Sequence, residues 1–244
     1  MVERTLYYLP LSHWCVAAER MFSFKELPFR KALVPYHDKR ALIRATGQDY
    51  VPAVREDGRV VPWKEIPEYL EAAAPRPTLF PRGTRGLTRA LATWAHGAVE
   101  ECVWRVVLPR VPPTFSDEHE RWVFEEMQAR SRGPIELLAA RGEEFRGDLD
   151  EQLASAESML ENGDWLLGEP SRSDFALFGA LSPLTLVGEP IPERFPRLGR
   201  WHRRVAAIPS SEVEGRIPAG APAGERRARR PAGANSRVPK PNSL

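Results

Sequence analysis

Thr5-Leu6-Tyr7-Tyr8-Leu9-Pro10-Leu11-Ser12-His13-Trp14-Cys15 begins as a short apolar strand, breaks at a proline, and runs into a segment that reads as helix over 15–26. A strand that turns directly into a helix aims the helix's free backbone N–H groups, and the positive end of its dipole, into the turn. An anion such as a thiolate is favoured there. Ser12 and Cys15 lie three residues apart, so with Ser12 capping the helix, Cys15 falls in its first turn and both reach one pocket rim. By residue type alone, the pair reads as an ordinary N-cap followed by a buried cysteine.

Beyond this elbow the first part of the chain keeps alternating strand and helix signals. A strand is predicted near Phe29 to Val34, a weak helix from His37 to Ala45, and a hairpin of Val51 to Glu56 with Arg59 to Val61 about the Asp57-Gly58 turn. A last helix runs from about Glu65 to Ala74. Pro52 cannot donate a ladder hydrogen bond, so it belongs at the first residue of a strand or in a cis turn. Pro75, Pro77 and Pro81 with Gly83 and Gly86 then mark a boundary. From Leu87 the pattern turns helical, with Leu91, Trp94, Ala98, Cys102 and Val106 on one face. Further helices are predicted over 117–140, broken at Gly133-Pro134, and over 149–161, 174–184 and 197–208. The expected domains are therefore 1–76, mixed; 77–86, a linker; 87–211, all helical; and a tail over 212–244. That tail is too poor in large apolar residues to offset the entropy of ordering, and disorder is expected.

Charge and cysteine usage narrow the class. Thirty-five Lys and Arg against 33 Asp and Glu leave a net charge of +2, which argues against a dedicated nucleic-acid binder. Residues 213–244 carry +5 and the remainder −3, so only the tail, with Arg226-Arg227-Ala228-Arg229-Arg230, offers a basic run. A run this short is usually just solvated. Two cysteines, Cys15 and Cys102, fall in different predicted domains and suggest no disulfide framework, so a reducing cytoplasm is expected. No apolar stretch reaches the roughly 20 residues of a membrane span, and the segment after Met1 is too brief for a signal peptide's hydrophobic region. The five histidines show no ligand spacing, and no metal is expected.

Several stretches in order resemble the cytosolic glutathione S-transferase superfamily. Tyr8 to Phe29, ending Lys25-Glu26-Leu27-Pro28-Phe29, looks like its first strand, catalytic turn and helix. Gly47-Gln48-Asp49-Tyr50-Val51-Pro52-Ala53-Val54 is similar to the segment carrying its cis-proline. Ile66 with Tyr69-Leu70-Glu71 resembles the helix closing the first domain. Trp165 to Asp174 looks like its Leu-x-Gly-x-x-Ser-x-x-Asp element, and Phe195 to Trp201 its closing helix. The likeness covers roughly residues 5 to 209. It implies a thioredoxin-like α/β domain followed by an all-helical bundle, an enzyme that directs the thiolate of glutathione or another small thiol co-substrate at an electrophilic small molecule, no permanently bound cofactor, and room for a homodimer.

The resemblance also assigns roles. Ser12 falls on the position of the hydroxyl or thiol in the serine- and cysteine-type classes, and Tyr8 where the tyrosine-type classes place theirs. Ser12 is the preferred donor because it lies in the elbow itself, whereas a strand tyrosine is usually packed. Cys15 aligns with the second cysteine of a C-x-x-C whose first is serine here, which excludes dithiol chemistry within the pair and favours inert burial. Val51 would pair its backbone with the thiol peptide ahead of Pro52, and His13 and Trp14 would line the cleft, with Trp94, His96 and Trp104 as candidates for the facing wall. Pro62-Trp63 replaces the Glu/Gln-Ser pair that usually grips the γ-glutamyl end. Proline has no N–H and indole no acceptor, so Trp63, Lys64 and Glu65 would have to serve from displaced positions. Glu19, where many members have arginine, reads as a solvated surface charge. Ser171 and Asp174 read as a capping box, structural rather than catalytic. The alternative is a non-catalytic binding or scaffold protein that keeps the fold.

Overall fold

A computed structural model of the chain describes residues 3–213. The disorder expected beyond Val213, and the Arg226 to Arg230 run, fall outside the described residues. Four strands form one sheet in the order β2-β1-β3-β4, with β1 at Arg4–Tyr8, β2 at Arg30–Leu33, β3 at Ala53–Glu56 and β4 at Arg59–Pro62. β1 and β2 are parallel and joined through α1, His13–Phe24; the other two pairings are antiparallel, with Leu6 opposite Val54 and Val54 opposite Val61. Because side chains alternate along a strand, that register sends Leu6, Val54 and Val61 into the main core with α1 and α3, Ile66–Ala73. Tyr7, Ala32 and Ala53 face the other way and cluster with Leu42 of α2, Arg40–Thr46. Asp57 and Gly58 both take positive φ, as a two-residue hairpin turn demands.

The second half is helical: α4 at Arg85–Trp94, α5 at Glu100–Val107, α6 at Glu118–Arg132, α7 at Ile135–Ala140, α8 at Gly142–Met159, α9 at Arg172–Leu186 and α10 at Pro196–Ala206. The break at Gly133-Pro134 falls between α6 and α7, as expected. α9 forms the centre, with Phe175, Ala176, Leu177, Ala180 and Leu181 all buried. It lies directly against α1: a Cβ on Gly179 would stand 2.4 Å from the His13 carbonyl oxygen and 2.9 Å from the Ala17 Cβ. The helical half thus sets the position of the elbow in the sheet half.

Three expectations change. α4 and α5 are one rod interrupted by a π turn, Ala95–Val99, which adds a residue to the turn and shifts the buried stripe. Ala92, Ala95, Val99, Val103 and Val107 form the buried face, while Ala98 is exposed and Leu91, Trp94 and Cys102 are only half-buried. α8 starts seven residues before the predicted 149, because Glu143 and Glu144 favour a helix N-terminus and Phe145 finds the core. The tail also begins later than residue 212. Ser211 to Val213 pair with Phe29, through Phe29 N–H to the Ser211 carbonyl at 3.3 Å and Val213 N–H to the Phe29 carbonyl at 2.8 Å.

Candidate functional site

Ser12 is the N-cap of α1, half-buried, with extended backbone and its Oγ accepting from the Cys15 N–H at 3.3 Å. The hydroxyl proton is not consumed by that bond. Cys15 is fully buried and its Sγ accepts from the Leu9 N–H at 3.4 Å. Burial pushes its thiol up to about 11, against the opposing pulls of Ser12, the Leu9 N–H and Lys39, so it stays protonated near neutrality. Tyr8 is buried at the end of β1. Desolvation and then the Glu19 carboxylate raise its pKa far above the ordinary value, and Lys31 stands over its ring at 4.9 Å. Glu19 is not the solvated surface charge expected of it. It is buried, pairing with Lys31 at 2.9 Å and Arg20 at 3.0 Å.

Across the sheet, Val51 is half-buried and Pro52 buried, with the Val51–Pro52 peptide cis. Pro62 closes β4, and Trp63 to Glu65 form a 3-10 turn leading into α3. The Trp63 ring does not stand free: it lies 4.1 Å from the Trp14 ring, and the Trp14 ring is also stacked on His96 of the π turn at 3.4 Å and 19°. His13 joins the group, 5.3 Å from both Trp14 and His96. Of the facing-wall candidates, only His96 takes part. Trp94 donates its indole N–H to Gln152 at 2.8 Å, and Trp104 is core.

A cleft of about 670 Å³ opens beside this stack, between α3, α4 and the start of α9. Trp14, Trp63 and Lys64 line it, as do His96 and Arg172; Ser12, Cys15, Val51 and Pro52 do not. The residues singled out by the sequence therefore divide, with Trp14, Trp63, Lys64, Glu65 and His96 lining the cleft and Ser12, Cys15, Val51 and Pro52 outside its lining. Arg172, which follows the capping serine, carries no motif of its own, and only the packing of α9 against α4 brings it here. The capping box itself is structural: Asp174, fully buried, accepts from the Ser171 N–H, the Leu166 N–H and the Trp201 indole, each at 3.0 Å.

Behind the elbow sits a second polar group that sequence reading did not find. The Glu100 carboxylate lies 3.7 Å from His13 Nδ1 and 3.3 Å from the Arg132 guanidinium. Arg132 continues through Gln128 at 2.7 Å, whose amide donates to the Tyr36 hydroxyl at 3.3 Å. Burial drives His13 down to about 3, helped by Arg132, and His96 down to about 2, helped by His13 and Arg172, so both rings are neutral. Burial also lifts Glu100 to about 7 despite Arg132. Its position one residue past a π turn gave no periodic signal.

Residues 139–204 match the family model described as the glutathione S-transferase C-terminal domain. Glutaredoxin 2 of Escherichia coli K12 is 25% identical over 188 residues, 75% of this chain and 85% of the relative. The chain has the fold of glutathione S-transferases. Among solved structures, glutaredoxin 2 of Salmonella typhimurium in complex with glutathione superposes with a TM-score of 0.69 at 22% identity, covering 83% of this chain and 93% of that one. Glutathione transferase GSTFuA3 of Phanerochaete chrysosporium gives 0.71 at 22%, over 85% and 97%. A four-stranded α/β domain followed by a helical bundle is the fold of this superfamily, as the resemblance implied. No described helix is long and apolar enough to cross a membrane.

Proposed function

We propose that the chain binds a small thiol, glutathione or a relative of it, at the start of α1 and directs its thiolate at an electrophilic small molecule, as a transferase of the reducing cytoplasm. The observation that carries this reading is Ser12: a half-buried N-cap hydroxyl at the start of α1 that accepts from the Cys15 N–H and keeps an O–H with which to donate. The bound thiol gives its proton to solvent, the Ser12 O–H and the α1 N-terminus stabilise the resulting S⁻, and sulfur displaces a leaving group such as halide from the electrophile. Tyr8 is the weaker donor, because its hydroxyl is buried beside a carboxylate. Val51 would present its backbone to the thiol compound next to Pro52.

The test is conjugation of glutathione to a generic aryl halide, with binding followed on immobilised glutathione. Ser12→Ala is expected to lower turnover by about 10²-fold, while Tyr8→Phe changes it little; activity lost only in the tyrosine variant would reverse the assignment. The second reading, a non-catalytic binding protein, is favoured by one observation: the formed cleft is lined by Trp14, Trp63 and Lys64 and not by Ser12. Clean passage over glutathione with no conjugation would favour it.

A further inference from the structure

We propose that Glu100, His13 and His96 form a proton relay, running from the buried polar group behind the elbow to the wall of the cleft that the His96 ring lines. The three residues come from α5, the first turn of α1 and the π turn. The Glu100 carboxylate reaches His13 Nδ1 at 3.7 Å, and the His13 and His96 rings have centroids 5.3 Å apart. Two imidazoles sharing an N–H···N bond of about 3 Å have centroids about 5 Å apart, so these rings stand at the span of one such bond. Two nitrogens on them are left over: His13 Nε2 and His96 Nδ1 are buried without a hydrogen-bond partner among the described residues. Buried polar atoms are nearly always paired. These two complement each other whenever one carries a proton and the other does not.

Which nitrogen of an imidazole holds the proton is set by the hydrogen bond that the other nitrogen makes. For His13 that partner is Glu100. With Glu100 protonated, its O–H donates to Nδ1, the ring proton sits on Nε2, and a bare His96 Nδ1 accepts it. With Glu100 ionised, Nδ1–H donates to the carboxylate, His13 Nε2 is bare, and His96 Nδ1 carries the proton. Passing from the first state to the second moves the Glu100 proton to His13 Nδ1, the His13 Nε2 proton to His96 Nδ1, and the His96 Nε2 proton to water in the cleft. One proton leaves and neither ring becomes charged, as their burial requires. The surrounding charges keep both states within reach of neutral pH. Arg132 of α6 faces Glu100 at 3.3 Å but is shared with Glu101 at 3.1 Å and the Gln128 amide oxygen at 2.7 Å. Burial outweighs that divided cation and holds the carboxyl at about 7, while Arg172 of α9 keeps the His96 ring from taking a second proton. No step uses Ser12 or a bound thiol, so the relay does not rest on the thiol reading.

Long-range proton–nitrogen NMR spectra of the full chain labelled with ¹⁵N-histidine read which ring nitrogen carries the proton, with His13→Asn and His96→Asn giving the assignments. Between pH 5 and pH 9 both rings are expected to pass together from Nε2–H to Nδ1–H, with one shared midpoint near 7. Glu100→Gln has no carboxyl to ionise, and its two rings are expected to keep one tautomer throughout. Arg132→Gln removes the cation that favours the ionised carboxyl and is expected to move the midpoint to higher pH; it decides the matter should Glu100→Gln fail to fold. Tautomers that stay constant in the wild type, a change at His13 without one at His96, a midpoint unmoved by Arg132→Gln, or the same transition in Glu100→Gln overturns the relay.

Discussion

Glu100 is the residue whose ionisation the fold shifts into the working pH range. Its carboxyl rises from the ordinary 4.5 to about 7 because burial removes water from the charged form faster than Arg132 replaces it. An acid with a raised folded pKa holds its proton in the native state after the unfolded chain has lost it. Stability therefore falls as pH rises from about 4.5 to about 7, and is level above. The buried histidines act in the other direction: with folded values near 3 and 2, they cost stability as pH falls below about 6.5, where the unfolded chain takes up protons first. Glu100→Gln removes only the first effect. Urea denaturation is expected to show the variant gaining about 1–3 kcal/mol on wild type between pH 5 and pH 8; a gap independent of pH would refute the assignment. At Cys15, full burial and a raised pKa give a thiol expected to resist alkylation in the native protein at pH 7.5 and to react on unfolding, leaving the half-buried Cys102 as the faster site.

At the scale of elements, the pairing of α1 with α9 carries the link between fold and site. Gly179 has an ordinary helical backbone, so glycine is required there by space alone. Adding a methyl group would force α1 away at His13, one residue from Ser12. Gly179→Ala is expected to cost about 1–3 kcal/mol by overpacking and to lower thiol conjugation as well, because the elbow moves with the helix. Thermal unfolding and turnover read the two effects separately. The capping box at the head of α9 carries more than a cap, since Asp174 also holds Leu166 and the Trp201 indole. Asp174→Ala removes the acceptor of four buried donors, the Ser171 N–H and hydroxyl, the Leu166 N–H and the Trp201 indole, and is expected to cost about 3 kcal/mol or more, a loss visible by urea denaturation. Unchanged stability would show that these bonds are replaced by water.

For the whole molecule, two of the contacts that tie the halves stand apart from the ion pairs of the cleft and the elbow. One tie is α9 on α1. The other is the segment following α10: Arg20 donates to the Ile208 carbonyl at 3.2 Å, Ser211 Oγ to the Leu27 carbonyl at 2.8 Å, and Glu212 pairs with Lys31 at 2.8 Å, the same lysine that holds Glu19. Ending the chain at Ile208 removes the Phe29 pairing and the Lys31 bridge together. The expected loss is about 1–3 kcal/mol, seen as a melting point lower by several degrees; no change would show that the strap is incidental.

The elbow was legible from residues 5–15 because strand, cap and helix signals are local: apolar alternation, a serine three residues before a first-turn residue, and the absence of breakers through Phe24. The same holds for the Asp57-Gly58 turn, the break at Gly133-Pro134 and the Ser171 to Asp174 box, each a few residues whose backbone preferences point one way. What tertiary structure alone decided is which side chains meet. Trp14, Trp63 and His96 come from three elements, and nothing in their own neighbourhoods says that they stack. Arg172 reaches the cleft because α9 packs between the halves, and Glu100 titrates near neutrality because a π turn rotates it inward towards His13 and Arg132. Burial and long-range contact set ring stacking and pKa alike, and neither is a property of a local stretch of chain.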